Sequence, residues 1–317
     1  MGSLFIAGNG FDIAHGIPTK YSDFRKFIIE QYPEALELKD EIVYLEDAND
    51  IEENEFSTEI LLSSMDRAAG EDWCNFEEAL ADINFNPKLP LILDDGNEMD
   101  AKHNAEMENY LIYIDMLTSG FIACTKNWQD FFRLWLKGIE ECIDHNMYSK
   151  REGLCELFSR NDLLFLNFNY TKTLQRLYGI KKVIHIHNRV GQKLIFGHGK
   201  DNVSYDSNHT NSWDEPNFYS TMLDDMLASF RKDTATPMKK YNDFFKKLNP
   251  NINRVYSYGF SYGKVDTVYI KEIIHRISPS AVWYFTSFES QNKDALRIKK
   301  IKLRNFGFKG SFDVYEG

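Results

Sequence analysis

Three short motifs in the sequence carry residues whose types suit nucleotide chemistry. Gly8-Asn9-Gly10 could bring backbone N–H groups close to a phosphate, because glycine leaves room and accepts positive φ. Asn169 could hold a ribose hydroxyl or a water through its amide. His187 could act as a base, because imidazole titrates near neutral pH. Together the motifs predict a nucleotide-binding site that contains groups for acid–base chemistry.

Each motif also has a second interpretation. Asn9-Gly10 could be only a tight turn that leaves a strand, and His187 could be a sheet-end histidine satisfied by a backbone carbonyl. Asp12 could accept a hydrogen bond from a ribose or cap the following turn. His185 and His187 lie two residues apart on a predicted strand and are expected to share a face, with one at the pocket and the other deeper. Which of these two residues or His198 is the base stays open.

Short apolar strands alternating with helices must position these motifs. Strands are predicted at Leu4–Ala7, Leu163–Phe168, Val183–His187, Leu194–Gly197, Arg254–Gly259, Ala281–Thr286, about Leu303–Phe306 and Phe312–Val314. Apolar strands with helical crossovers indicate a parallel sheet covered on both faces. Ligands bind such sheets at the carboxyl ends of strands. Small or polar clusters follow several of the predicted strands: Gly8-Asn9-Gly10, Asn169-Tyr170-Thr171, His187-Asn188 and Gly259-Phe260-Ser261.

The chain between the first helix and the later strands is predicted to be helical. Residues 31–159 contain no convincing strand pattern, so they are interpreted as an insertion in an α/β core formed by residues 1–30 and 160–317. Within the insertion, Trp73–Leu80 is predicted to be a helix with Asn75 as its N-cap, and Glu98 to Asp144 to be a long helical stretch. The insertion is expected to supply a lid, a sensor or an oligomer interface.

Composition and charge narrow the classes of function. The 317 residues are 43% hydrophobic and 27% charged, as in ordinary globular proteins, and contain no apolar run long enough to span a membrane. The N-terminus lacks the basic region of a signal peptide, so the chain is expected to be cytoplasmic, without a membrane partner. The four cysteines form no C-x-x-C pair, which predicts reduced thiols and no metal site.

The formal net charge of −11, from 48 acidic and 37 basic side chains, disfavours nucleic acid as a partner. The strongest local exception is the basic run Arg297 to Arg304. Its cations alternate with apolar residues, which is more typical of a solvated helix or an edge-strand face.

Four segments, in order, resemble the sirtuin NAD-binding pattern. Gly8 to Pro18 has the spacing of the sirtuin G-A-G-x-S-x-x-x-G-I-P motif, and Asn167 to Tyr170 occupies the place of T-Q-N. Val183 to His187 resembles the strand that ends in the sirtuin catalytic histidine, and Gly259-Phe260-Ser261 is similar to G-T-S. The resemblance implies a sirtuin-like Rossmann parallel sheet with a large α-helical insertion after the first β-α unit. It also implies NAD as substrate or ligand, without a metal.

The same resemblance assigns residues to roles. Asn169 and His187 would be catalytic. The implied cofactor-binding residues are Gly8, Asn9, Gly10, Phe11, Asp12, Gly16, Pro18, Tyr170, His198, Gly259 and Ser261.

The sequence also departs from the sirtuin pattern. Thr171 replaces the sirtuin aspartate, Asn188 follows His187 where glycine is usual, and Thr19-Lys20 replaces the D-F of G-I-P-D-F-R. These departures and the missing zinc cysteines disfavour protein deacylation. Hydrolysis of free NAD and binding of a nucleotide as a signal remain open.

Several stretches between about residues 4 and 276 more closely resemble the AbiH family of bacterial abortive-infection proteins. They are GNGFDIAHGIPTKYSDF, WCNFEEAL, NFNYTKTL, HIH with FGHG, and YGFSYGKVD. This resemblance implies a phage-defence protein. The expected effector hydrolyses NAD+ to ADP-ribose and nicotinamide after a phage cue, as a homo-oligomer, with a phage-derived trigger or a partner defence protein. A non-catalytic NAD, ADP-ribose or nucleotide sensor is the first alternative, and a nucleic-acid-directed toxin is the second.

Overall fold

The central element is a parallel sheet of six strands. A computed structural model describes residues 2–33, 53–83, 128–145, 147–201, 203 and 218–317. The strands are β1 (Gly2–Ala7), β2 (Leu163–Asn167), β3 (Ile184–His185), β4 (Ile252–Tyr258), β5 (Val282–Thr286) and β6 (Ser311–Tyr315). Their order is β3-β2-β1-β4-β5-β6, and every pair is parallel. The predicted α/β class with a Rossmann-like parallel sheet is therefore confirmed.

Helices connect and flank the strands. They are α1 (Asn9–Ala14), α2 (Tyr21–Gln31), α3 (Glu53–Ala69), α4 (Phe76–Ala79), α5 (residues 128–144), α6 (Glu152–Phe158), α7 (Thr173–Tyr178), α8 (Phe218–Ser229), α9 (Ala235–Lys240), α10 (Asn242–Lys247), α11 (Thr267–Arg276), α12 (Ser287–Gln291) and α13 (Lys293–Asn305). The predicted helix over residues 98–144 is described only from residue 128 onwards, and its earlier part lies outside the described residues.

Alternation along β1 divides the core of the sheet into two clusters. Leu4 and Ile6 belong to one cluster, which includes Tyr269 of α11 and Leu303 of α13. Phe5 and Ala7 belong to the other, which includes Phe11 of α1, Leu154 of α6 and Leu174 of α7. Successive side chains of a strand point to opposite faces, so this apolar run buries both faces of the sheet.

Strand register brings the chemical motifs to one edge of the sheet. Ala7, the last residue of β1, pairs with Asn167 of β2 and with Tyr258 of β4, and Asn167 pairs with His185 of β3. The residues that follow these strands, from Gly8, Phe168, Gly259 and Ile186 onwards, therefore leave the sheet at the same level. β1 and β4 are the adjacent pair at which the strand order reverses.

Two predicted strands are wrong. Residues 194–197 form no strand, although the N–H of Ile195 donates to the carbonyl of His187 at 3.0 Å. Leu303 belongs to helix α13, in which Leu296 and Leu303 are the buried residues and the Asn292 side chain caps the first turn. Their seven-residue spacing fits two turns of helix, so the helix is the correct one of the two alternatives predicted for Arg297–Arg304.

The chain divides into two compact units. The first comprises Met1–Lys20, Arg133–Phe196 and Lys232–Gly317 and contains the whole sheet. The second comprises Tyr21–Phe132 and Gly197–Arg231. The predicted limits of the insertion, residues 31 and 159, stay a prediction.

An aromatic cluster and a half-buried ion pair organise the described part of the second unit. Phe24 packs edge-on against Trp73, Phe76 and Phe132, with ring centroids 5.1–6.1 Å away. Arg25 donates two hydrogen bonds of 2.7 Å to Asp66, which also accepts one from the indole of Trp73. The helix predicted at Trp73–Leu80 forms as the shorter α4, and Asn75 occupies its N-cap position without a side-chain capping hydrogen bond.

Within the described ranges, no helix is both long and apolar enough to cross a membrane.

Candidate functional site

The glycines after β1 allow two turns to pack against each other. The N–H of Gly8 donates to the carbonyl of Tyr258, and the N–H of Gly10 donates to that of Gly259, both at 2.9 Å. A Cβ on Gly10 would lie 2.6 Å from the Cα of Gly259, which itself has a φ of 60°. Backbone contact between the turns therefore explains these glycines, and their two N–H groups already have acceptors.

Helix α1 and the loop after it are held by their own contacts. Asn9 is exposed, and its amide donates to the carbonyl of Thr19 at 2.7 Å. Gly16, with a φ of 78°, and Pro18 are also exposed. Phe11 instead points into the core, where its ring packs edge-on against Tyr258 with centroids 5.4 Å apart. The predicted cofactor-binding residues of this motif therefore divide into an exposed loop and a buried core position.

Asn169 links the carboxyl ends of β1 and β2. Its N–H donates to the side-chain oxygen of Asn167 at 2.9 Å, and its amide donates to the carbonyl of Gly8 at 3.0 Å. The residue is 6% exposed. Because the two strands are parallel and adjacent, a polar residue just beyond β2 reaches the first turn after β1. The structure thus brings together two of the motifs that the sequence singled out.

Asp12 is the centre of a buried polar cluster, which we call the Asp12 cluster: Asp12, Asn169, Thr171 and Thr173. The Thr171 hydroxyl donates to Oδ2 of Asp12 at 2.5 Å, and the Thr173 hydroxyl donates to that of Thr171 at 3.1 Å. Oδ1 of Asp12 makes no hydrogen bond with the described residues. The carboxyl group is therefore only partly satisfied inside the protein.

Burial dominates the electrostatics of Asp12. Desolvation raises the pKa of its carboxyl group to about 6, because a buried charge loses its hydration. The hydroxyls of Thr171 and Thr173 and the amide of Asn169 favour the charged form and limit the increase. The nearby carboxylate of Glu140 opposes ionisation. That carboxylate accepts a hydrogen bond from the backbone N–H of Lys172 and lies 3.5 Å from its ammonium group.

His187 belongs to a second buried group, the His187 network, which consists of His187, Asp266 and Lys232. Nε2 of His187 lies 3.0 Å from Oδ1 of Asp266, and the ammonium nitrogen of Lys232 lies 3.5 Å from the same oxygen. Burial alone would raise the pKa of Asp266, but the charges of Lys232 and His187 hold that pKa well below its usual range.

Both ring nitrogens of His187 face acceptors. Nδ1 lies 3.2 Å from the carbonyl of Phe168, whereas Nε2 faces Asp266. Nε2 makes no hydrogen bond with the described residues despite its closeness to Asp266, and Oδ1 of Asp266 likewise makes none. No hydrogen bond joins His187 to Asn169 in the described part of the chain.

His185 and His187 contact different helices. β3 ends at His185, so the period of two that would put both histidines on one face does not extend to His187. Nε2 of His185 accepts a hydrogen bond from Gln175 of α7 at 2.7 Å, and Nδ1 lies 3.2 Å from the carbonyl of Asn169. Burial lowers the pKa of His185 to about 4, so this ring is neutral near pH 7.

The remaining predicted residues are placed separately. The Tyr170 hydroxyl donates to the carbonyl of Ile195 at 3.0 Å, and Ser261 is exposed. His198 belongs to the second unit, where Nε2 lies 2.9 Å from the carbonyl of Leu227 and burial lowers the pKa of the ring. These three residues share no hydrogen bond with the Asp12 cluster within the described ranges.

Sequence reasoning missed the partners of His187. Asp266 occupies the N-cap position of helix α11, but its side chain makes no capping hydrogen bond. Lys232 was not singled out at all, and its side chain is only 1% exposed. No local pattern marks a lysine whose partner lies 34 positions further along the chain.

The six parallel strands and their order define a Rossmann-like α/β protein. A family model described as "Bacteriophage abortive infection AbiH" matches residues 4–287. The chain therefore belongs to the AbiH family and has a role in phage abortive infection, which confirms the predicted family. No curated protein and no solved structure matches the chain. The sirtuin-like NAD-binding core stays a prediction.

Proposed function

We propose that this abortive-infection protein is an effector that hydrolyses NAD+ to ADP-ribose and nicotinamide in its first unit. The observation that carries the proposal is the strand order β3-β2-β1-β4-β5-β6, which is typical of folds that bind dinucleotides where the order reverses. At that place the turn after β1 meets the turn after β4, and Asn169 reaches the same turn from β2.

The chemistry requires groups that orient the ribose and a water molecule. Breaking the bond between nicotinamide and ribose develops positive charge on the sugar, so a rigid amide and nearby carboxylate would favour the reaction. Asn169 is held in a fixed position by two hydrogen bonds and borders Asp12. His187 lies 3.0 Å from Asp266 and so ties the chain after β3 to the start of α11.

Latency is part of the proposal. An unrestrained NAD+ hydrolase would kill its own cell, so a phage-derived trigger or a partner defence protein would have to relieve inhibition. We assign the sensing role to the helical insertion, which would act as a lid, a sensor or an interface in a homo-oligomer. The site is proposed to act in the cytoplasm, where NAD is present.

The test is the concentration of NAD in cells that express the chain, before and after phage challenge. Asn169→Ala and His187→Ala are the test variants, and Asn242→Ala and His275→Ala are matched controls at exposed positions. We expect NAD to collapse after challenge in the wild type and both controls, and to stay level in both test variants. A constant NAD level in the wild type while protection persists would show that the chemistry is wrong.

A nucleotide sensor without turnover is the second candidate. One observation favours it: both ring nitrogens of His187 lie within 3.2 Å of acceptors in the protein, which leaves the ring poorly placed for proton transfer to a substrate. Calorimetric titration with NAD and ADP-ribose separates the candidates. Tight binding with no release of nicotinamide, unchanged in His187→Ala, would favour the sensor.

A further inference from the structure

The carboxyl group of Asp12 is placed to take a proton at the carboxyl edge of the sheet. It lies on α1, directly after the turn that the amide of Asn169 contacts. Oδ2 is held by the Thr171 hydroxyl, whereas Oδ1 has no hydrogen-bond partner among the described residues. A buried polar atom without a partner is uncommon in a folded protein and calls for an explanation such as a ligand, a water or a catalytic role.

The surroundings of Asp12 hold it in one orientation. Thr171 binds Oδ2, and Thr173 in turn binds Thr171, so a chain of hydroxyls fixes the carboxyl plane. Asn169, which contributes to the same cluster, is fixed by Asn167 and Gly8. Catalytic groups need this kind of support, because a proton transfer depends on hydrogen-bond geometry.

His187 lacks the corresponding freedom. Its Nδ1 lies 3.2 Å from the Phe168 carbonyl, and its Nε2, which makes no hydrogen bond with the described residues, lies 3.0 Å from a carboxylate oxygen of Asp266. A water could reach either nitrogen only if one of these contacts opened.

We propose that Asp12, rather than His187, is the general base of the NAD+ hydrolysis proposed above, and that Oδ1 is the atom that takes the proton. This inference rests on the proposed function, and it assigns a catalytic role to a residue that sequence resemblance placed only among cofactor-binding positions.

The proposed step balances in atoms and charge. The bond between the nicotinamide nitrogen and C1′ of the ribose breaks, and its electron pair leaves with nicotinamide, which becomes neutral. The oxygen of a water forms the new bond to C1′, and the proton of that water passes to Oδ1 of Asp12. The products are ADP-ribose and nicotinamide, and Asp12 then releases the proton to solvent.

The acidity of Asp12 fits this role. Burial raises its pKa to about 6, so the carboxylate is charged near neutral pH and still basic enough to accept a proton. The groups that face it are the hydroxyls of Thr171 and Thr173, the amide of Asn169 and the carboxylate of Glu140. Of these only Glu140 carries charge, and it contacts the ammonium group of Lys172 at 3.5 Å.

The experiment is nicotinamide release by the purified full chain between pH 4.5 and 8.5, with lysate of phage-infected cells as a source of trigger. We expect the kcat of the wild type to rise with pH in a single step, the limb of the pH profile, whose midpoint lies near pH 6. Asp12→Asn should reduce kcat by about 100-fold or more while leaving the Kd for NAD within a few-fold, because base catalysis typically contributes that factor.

Thr171→Val separates a catalytic role of Asp12 from a purely structural one. The pH dependence of the rate should shift in this variant only if Asp12 takes part in the reaction. The substitution removes the hydroxyl that favours the charged form of Asp12, so the limb should shift upward by about one pH unit while activity at high pH is retained. His187→Ala is expected to lose most of its activity at every pH, and its residual rate is expected to rise with pH near 6 as in the wild type. If Asp12→Asn fails to fold, as judged by circular dichroism, the shift in Thr171→Val decides the question.

The outcomes separate the two proposals. Release of nicotinamide by the wild type, with a limb that Thr171→Val does not move or that disappears only in His187→Ala, would overturn the assignment of Asp12 and leave the hydrolase intact. Absence of nicotinamide release by the wild type at every pH, with or without lysate, would overturn the proposed function and the assignment with it.

Discussion

Asp12 makes the folded state sensitive to pH in a direction unusual for an aspartate. Most carboxylates in proteins are stabilised in the charged form, whereas burial favours the neutral form here and raises the pKa from 3.8 to about 6. The contribution of Asp12 to the free energy of unfolding is therefore fully present below about pH 3.8 and is lost as the pH rises through 6. At neutral pH the protein retains a charged carboxylate at a cost in stability, as expected of a functional site.

We expect Asp12→Asn to be more stable than the wild type at pH 8, because the amide imitates the neutral acid. The advantage should be near zero at pH 4 and grow to at most about 3 kcal/mol above pH 6, since one pKa unit corresponds to about 1.4 kcal/mol. Urea unfolding of both proteins at pH 4.5 and pH 8 measures it. Asp243→Asn, at an exposed position, is the control. A difference between Asp12→Asn and wild type that is the same at both pH values would contradict the argument.

The sequence predicts which site residues meet only where those residues follow the ends of neighbouring strands. Gly8 and Asn169 follow parallel neighbouring strands, which is why they meet as expected. The partners of His187 could not be predicted, because Asp266 and Lys232 approach it from separate parts of the chain. A pairing across long sequence separation depends on packing that no local pattern expresses.

At the scale of elements, the contact between the turns after β1 and β4 positions the whole edge of the sheet. A Cβ on Gly259 would lie 2.3 Å from the Cα of Gly10 and 2.6 Å from the nitrogen of Phe11, and all the atoms it meets belong to the backbone. Backbone atoms cannot move aside as a flexible side chain can. The close approach therefore requires glycine independently of the positive φ at this position.

We expect Gly259→Ala to destabilise the fold by more than about 3 kcal/mol, the range of substitutions that force steric clashes in a core. Gly179→Ala is the matched control: Gly179 has a φ of 69°, and a Cβ there would meet nothing within 4 Å. Its cost should be only the backbone strain of about 1 kcal/mol. Guanidinium unfolding midpoints of both variants test the comparison, and equal losses would show that the turn contact is not the cause.

Most strands could be predicted from their apolar runs, whereas part of helix α13 was mistaken for a strand. β1, β2 and β5 each contain a continuous apolar run, and tertiary burial on both faces keeps these runs as strands. The strand predicted at about Leu303–Phe306 was wrong, because Leu296 and Leu303 follow a helical period; for Arg297–Arg304 the helix was the correct one of the two predicted alternatives. The capping residue Asn292 was the signal that could have identified the helix.

At the scale of the whole molecule, the remaining rival to a nucleotide-directed effector is a toxin that binds nucleic acid through Arg297–Arg304. Several cations of this run already have partners within the protein. Lys299 lies 2.6 Å from a carboxylate oxygen of Glu289, Lys302 donates to the carbonyls of Ser261 and Tyr262, and Arg304 donates to that of Phe308. The run therefore offers a phosphate backbone less positive charge than its composition indicates.

The net charge of −11 acts in the same direction, since the field of the whole protein repels a polyanion. We expect the full chain to show no saturable binding to duplex DNA or single-stranded RNA at 150 mM salt in fluorescence anisotropy. Any binding that appears at 20 mM salt should be weak and independent of sequence. A protein that neutralised several phosphates would instead lose affinity steeply with salt, with a slope of about −0.9 per phosphate contact on logarithmic axes. Such a slope, abolished by Arg297→Glu with Lys300→Glu, would restore the toxin as the better explanation of the defence function.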